Sequence, residues 1–217
     1  MEMLMHQLAR RLRRDDGPAA RLEPPALARL FLEPRTHGSW LDRVVPLALL
    51  EEAWQLARLA PTSANCSPLR LVVLRSAEEK ERLAPALAAG NRRKSLEAPV
   101  VAIVAHDLEF WHFLPRLFPH ADAAAWFRDD PALCRETALR NGTLQAAWYM
   151  LALRALGLDV GPMSGFDAVA VDRIFFAGTT LETNFVLNIG YGDPEDLRPR
   201  LPRLDFAEIL VDPAGQA

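Results

Sequence analysis

The run PVVAIVA, residues 99–105, decides the fold class. It carries no charge and does not alternate wet and dry positions. Three valines and an isoleucine among seven residues favour a strand over a helix, and the uninterrupted apolar run implies burial on both faces. A strand covered on both faces needs helices above and below it. Working outward, LRLVVL (69–74) reads as a second buried strand and TNFVLNI (183–189) as a third, closed by GYGDP. Residues 77–88 between the first two are expected to be helical and to end at Gly90. Pro46–Ala60 is an amphipathic helix with Leu49, Leu50, Ala53, Trp54, Ala57 and Ala60 on one side. PPALARLFLE opens with prolines suited to a first helical turn. Leu133–Leu156 reads as a long helix, apolar nearly all round from Leu144 onward, which implies burial in the core or at a subunit interface. Val169–Phe176 is a shorter helix. RLDFAEILV (203–211) could supply a further strand or an arm that embraces a partner. The pattern is an α+β or α/β arrangement of helices on both faces of a central sheet.

Residues 1–24 stand apart as an N-terminal extension. Leu4, Leu8 and Leu12 would form a thin helical stripe beside Arg10, Arg11, Arg13 and Arg14 before DDGP breaks it. Such a segment packs on the body or a partner, or frays. Residues 25–217 read as a single domain. The chain has 217 residues, 50% hydrophobic and 24% charged, enough for one substantial core. A net charge of -3 gives no global attraction to nucleic acid or to an anionic membrane. No apolar run is long enough to span a bilayer, and the N-terminus lacks the apolar region of a signal peptide, so a cytoplasmic protein is expected.

Several chemistries lack their motifs. Cys66 and Cys134, the two cysteines, make neither a disulfide framework nor a zinc site, and Cys66 reads as a small packing residue. His106, His112 and His120 share no helical face. There is no Walker loop, no GxSxG elbow and no HExxH, and Gly190-x-Gly192 lacks the third glycine of a dinucleotide fingerprint. An enzyme of this sequence would lean on a bound cofactor for the hard chemistry. Four polar segments suggest where: RTHGSW (35–40), PTSANCSP (61–68), GPMSGFD (161–167) and RPRLPRL (198–204). Arginines beside fixed backbone amides suit a phosphate-bearing ligand. Ordinary surface loops are the alternative. Residues 108–128, aromatic and interrupted by prolines, form a lid, a pocket wall or a packed surface excursion.

Over residues 30–210 the chain resembles the FMN-dependent nitroreductase family, and within it the malonic semialdehyde reductase branch. The resemblance rests on LFLEPRTHGSWLD, LARLAPTSANCSPLRLVVLRS, LAAGNRRK, LPRLFPHADAAAWF, ALGLDVGPMSGFD, FFAGT, NFVLNIGYGDP and PRLPRLDF, in that order. It implies a three-layer α/β/α sandwich and a homodimer with one FMN in each interface cleft. Arg35, Thr36 and His37 match the first FMN motif, with Arg35 toward the phosphate. Ser39 stands where many relatives have lysine. Pro61, Thr62, Ser63 and Asn65 match the loop that reaches the flavin from the second subunit. Ser67 and Leu69 replace the Gln and Trp that many relatives carry around the next proline. Asn91 matches a contact to the pyrimidine side of the flavin, and Asn141 a polar helix position beneath it.

Pro162, Met163, Ser164 and Gly165 match the loop whose backbone addresses flavin N5, with Ser164 in place of a common glutamate. Gly190 and Gly192 match the turn near the phosphate. Arg200 is the best match for a C-terminal phosphate arginine, with Arg198 and Arg203 as alternatives. The resemblance further implies hydride transfer from NADH or NADPH through flavin N5 to a small-molecule substrate, with no side-chain nucleophile. Malonic semialdehyde (3-oxopropanoate) is the branch-specific substrate, and nitro, quinone or enone compounds are the nearest alternatives. A non-enzymatic flavin-binding or interaction protein is the alternative of another class. Arg116 and Arg128 are the cations in 108–128 that could meet a substrate carboxylate.

Overall fold

A computed structural model describes residues 21–211 of the chain. The leucine stripe expected at Leu4, Leu8 and Leu12 lies outside the described residues. Four strands form one antiparallel sheet: β1 (Leu69–Leu74), β2 (Val100–Asp107), β3 (Asp159–Met163) and β4 (Leu181–Gly190), in the order β1-β2-β4-β3. The helices that matter most are α1 (Pro24–Leu27, continued by a wider turn to Leu32), α2 (Leu47–Ala57), α3 (Ala77–Leu83), α4 (Ala89–Glu97), α5 (Leu114–Leu117), α6 (Pro131–Ala155), α7 (Ala168–Phe175) and α8 (Phe206–Ile209).

β2 is buried at all eight positions. Its side chains alternate between two cores, as the period of a strand requires. Val100, Ala102 and Val104 face one cluster with Leu50 and Ala53 of α2 and Ala146, Tyr149 and Leu153 of α6. Val101, Ile103 and Ala105 face another with Leu83 of α3, Val171 of α7 and Phe176. The layering is therefore helix, sheet, helix, the α+β three-layer sandwich expected.

Two local expectations are corrected and two are narrowed to one of their alternatives. GPMSGFD was read as a loop, but its first three residues belong to the fourth strand, β3. Gly161 and Pro162 hide that strand because both lower strand propensity. Pro162 is tolerated because β3 is an edge strand paired only with β4, and Gly161 because a Cβ there would stand 3.2 Å from the carbonyl oxygen of His37. The helix expected to end at Gly90 ends earlier. α3 tightens into a turn at Ala84–Ala86, and Gly90 is the second residue of a separate helix, α4. Only Ser95 of α4 is buried, so the helix has no apolar stripe to betray it. In the segment 203–211 no strand forms. Asp205 and Glu208 make a capping box that starts the short helix α8. Finally, α6 is not enclosed. Ala138, Ala146, Tyr149 and Leu153 face inward, whereas Leu139, Leu144, Trp148 and Leu151 lie on an open apolar face.

The segment 108–128 has its own small core. Phe110 and Phe127 meet edge to face at 5.0 Å between centroids, packed with Leu114, Cys66, Cys134 and Ala138. It is a packed excursion that also walls a cavity.

Leu153→Ala removes a fully buried side chain between α6 and the sheet. We expect a loss of about 2–5 kcal/mol, read as a lower urea midpoint with an unchanged slope.

Candidate functional site

The polar segments gather in two places. In the first, the strip 198–203 folds back on the segment after α1. The Arg200 guanidinium donates to the carbonyl oxygens of Leu32 (2.6 Å) and Pro34 (3.2 Å), and Arg35 donates to that of Arg198. Arg154, at the end of α6, donates to the Arg35 carbonyl at 3.1 Å. These contacts shape a cavity of about 470 Å³ lined by Arg35, Arg154, Arg198, Arg200 and Arg203, with no carboxylate in its wall. Burial pulls the Arg154 guanidinium below its ordinary value, opposed by Asp159, whose carboxylate lies 3.9 Å away. A concavity of guanidinium groups is an anion site by its chemistry.

A neighbouring cavity of about 460 Å³ is lined by Arg35, Thr36, His37, Arg93, Lys94 and Arg198, among others, with Asp196 its one carboxylate. His37 is buried, with Nε2 3.6 Å from Asp159 and with Nδ1 unpartnered among the described residues. Asn91, one position beyond Gly90 on α4, donates from its side-chain amide to the Gly165 carbonyl at 2.8 Å. That bond joins α4 to the end of β3, where Ser164 and Gly165 are exposed. Met163 instead points into the core, where its sulfur accepts from the Ser95 hydroxyl at 3.5 Å.

Gly190 and Gly192 are both closely packed by protein. A Cβ on Gly192 would stand 2.1 Å from the His37 ring, and one on Gly190 would stand 2.7 Å from Pro99 and 2.8 Å from Trp40. Their lack of a side chain makes room for the residues of the RTHGSW segment, so here they act through packing. The Ser39 carbonyl accepts from the Asp193 amide at 3.2 Å, which pins that segment to the turn after β4. Its hydroxyl is buried and unpartnered among the described residues.

The second place is the loop Pro61–Pro68. Ala64, Asn65 and Ser67 all have positive φ (49°, 52° and 42°), a conformation that residues other than glycine adopt at a cost. Specific bonds hold it. Asn141, buried in α6, accepts from the Ser63 amide at 2.8 Å. Thr62 Oγ1 accepts from the Ser67 amide at 3.3 Å, and Asn65 donates to the Leu117 carbonyl at 2.9 Å. Asn141 thus supports the loop from beneath. Burial pushes the Cys66 thiol up to about 11, against hydrogen bonding from Thr62, which suits a packing residue and not a nucleophile. The loop borders a cavity of about 720 Å³ lined in part by Arg58, Pro61, Thr62, Asn65, Arg70 and Arg116.

Arg35–His37, Asn91, Ser164, Gly165 and Arg198–Arg203 therefore occupy one region, while Pro61–Asn65 and Asn141 occupy another. No residue lines both the arginine cavities and the loop cavity. Arg154, Arg93 and Lys94 are additions that the sequence reading missed. The signal for Arg154 was its being the charge that ends the apolar run Ala146–Leu153.

Residues 39–191 match the model of the nitroreductase family. The chain belongs to the nitroreductase family. A Stutzerimonas stutzeri (strain A1501) protein provisionally named NADH dehydrogenase/NAD(P)H nitroreductase is 56% identical over 192 residues, covering 88% of this chain and 98% of that one. The crystal structure of the Bacillus subtilis protein YdfN, provisionally assigned as a nitroreductase, aligns with a TM-score of 0.76 at 25% identity, over 88% of this chain and 100% of its own. A family structure from Exiguobacterium sibiricum, in complex with FMN, has the same fold, with a TM-score of 0.75 at 18% identity over 89% of this chain and 99% of its own.

Gly192→Ala drives a methyl group into the His37 ring. We expect a loss of about 1–3 kcal/mol in stability, read as a lower Tm, since His37 lies between the glycine and the strand β3 and has little room to yield.

Proposed function

We propose that the protein is an FMN-dependent oxidoreductase that takes hydride from NADH or NADPH and delivers it to a small carbonyl substrate in the cytoplasm. Malonic semialdehyde, reduced to 3-hydroxypropanoate, is the first candidate. The observation that carries this reading is the arginine cavity without a carboxylate, at the position where the family resemblance puts the flavin phosphate. A phosphate monoester needs just such a surround of guanidinium donors. Family membership and the 56% identical relative named for NAD(P)H nitroreductase activity support the reductant and the reaction type.

The residues fit FMN as a group. Arg35 and Arg200 would hold its phosphate, with Arg154, Arg198 and Arg203 adding positive charge. Thr36 and His37 line the neighbouring cavity, Asn91 bonds to the Gly165 carbonyl, and the backbone of Ser164 and Gly165 offers amides where the resemblance implies flavin N5. Bound FMN would supply the two-electron relay between nicotinamide and substrate. The protein's own part is to anchor the group, keep it oriented and offer donors where negative charge develops. The overall reaction consumes one hydride from the nicotinamide and one proton from solvent. The hydride goes to the carbonyl carbon and the proton to its oxygen.

A homodimer is part of the proposal. The Pro61–Asn65 loop does not share a cavity with the arginines within one chain, so a second copy is needed to bring the two halves together. The open apolar face of α6, with Leu139, Leu144, Trp148 and Leu151, supports that association. A second reading, a broad nitro, quinone or enone reductase, draws support from the name of the 56% identical relative.

The purified protein should show a flavin spectrum that bleaches under anaerobic NADH or NADPH and recovers on adding malonic semialdehyde. Recovery with nitroaromatics or quinones alone would move the assignment to the second reading. A chain that binds no FMN would overturn both. Arg35→Ala and Arg200→Ala should purify folded by circular dichroism but with most of their flavin lost, measured as bound flavin per chain. Full occupancy in both would refute the phosphate assignment.

A further inference from the structure

The cavity beside the Pro61–Pro68 loop has a charge pattern that cofactor anchoring does not use. Among the described residues, three arginines line it, Arg58, Arg70 and Arg116, and no carboxylate does. They are not equivalent. Arg70 is paired with Asp107, with Nη2 2.7 Å from Oδ2, and its Nη1 donates to the carbonyls of Ser67 and Leu69. Arg58 donates to the neutral side chain of Gln55 at 3.2 Å. Arg116 makes no hydrogen bond or ion pair among the described residues, and its guanidinium lies 6.0 Å from the centroid of the half-exposed Phe113 ring.

The Arg116 side chain is exposed, but the backbone that carries it is anchored. It sits on α5, whose first residue, Leu114, is fully buried. The last residue of α5, Leu117, accepts the Asn65 amide bond that ties the helix to the loop. The helix that carries this cation, unneutralised among the described residues, is thus tied to the same loop that carries Thr62 and Ser63. Arg128, the other arginine of this segment, is paired with Asp122 at 3.2 Å and does not line the cavity. The larger cluster of guanidinium groups, at Arg35 and Arg200, is in a separate cavity.

We propose that Arg116, with Arg58 beside it, binds the carboxylate of the acceptor substrate and so selects short 3-oxo acids over neutral acceptors. The proposal rests on the oxidoreductase and homodimer readings above, by which this cavity would face the flavin held by a second copy, and names the specificity residue of that site. A guanidinium offers two parallel donors to a carboxylate, and a cation already free of protein partners gives up none to bind it. The pairing is between charges of opposite sign in a concavity, where it is worth more than at an open surface.

The test compares holoenzyme variants on malonic semialdehyde and on menadione, a neutral quinone, with NADH and NADPH as reductants. The ratio of kcat/KM for the acid to that for the quinone should fall at least about tenfold in Arg116→Ala, through KM, and recover in part in Arg116→Lys, which keeps the charge. Arg128→Ala should leave the ratio unchanged. Malonate, an unreactive dicarboxylate, should raise the Tm of the wild-type holoenzyme and do so less in Arg116→Ala, a readout independent of turnover. Equal losses on both acceptors, or an unchanged ratio, would overturn the proposal. So would a rise in KM for NADPH but not NADH, which would assign the cation to the reductant's phosphate. A wild-type enzyme that reduces menadione but neither reduces malonic semialdehyde nor binds malonate would overturn it while leaving the oxidoreductase reading intact. A chain that retains no FMN would instead overturn that reading.

Discussion

The structure depends on β2 being dry on both faces. Eight consecutive buried residues leave the strand no contact with water, so its backbone groups must bond to strands on either side and its side chains must meet helices above and below. That one constraint sets the three layers. It also sets where function can sit, since the strand's own surface is consumed by packing. The polar chemistry is displaced to the loops that lie between the layers.

Those loops are held by bonds from elements remote in sequence. Arg154 closes the Arg35 segment from the end of α6, Asn141 fixes the Pro61–Pro68 loop from the middle of the same helix, and Gln145 accepts from the Leu69 amide at the start of β1. One helix therefore supports the arginine-lined cavity and the strained loop at once. Its inner face carries Asn141 and Gln145 buried among apolar residues; both ends of the Asn141 amide are bonded to backbone, whereas Gln145 bonds through its oxygen and leaves Nε2 unpartnered among the described residues. Its outer face is apolar and open. The same element positions the two half-sites and offers the surface by which a second copy would unite them.

Much of the site could be read from local pattern, but not its division of labour. Arg35, Arg198, Arg200 and Arg203 were visible as a positive set, and the structure brings them around one cavity. Asn141, Asn65, Gly190 and Gly192 also have structural work within the chain, which the local pattern did not reveal. Asn65 tethers the loop to α5, and the two glycines accommodate His37, Pro99 and Trp40. A motif records that a residue type is needed at a place. It does not record whether the need is for a ligand or for a neighbour.

The sequence by itself determined the apolar runs of β1, β2 and β4, the amphipathic α2 and the long α6, because each announces itself through the period or burial of its own residues. It could not determine β3, whose Gly161 and Pro162 are tolerated only by an edge position, nor α4, which has almost no buried side chain. Only the tertiary structure decided that Arg154 joins Arg35 and that Arg116 stands unneutralised while Arg70 and Arg128 find carboxylates. The Arg154–Arg35 and Arg70–Asp107 contacts span 119 and 37 residues and depend on which ends of which elements meet. Local propensity is a property of a segment, whereas the charge state of a cavity belongs to the assembled fold.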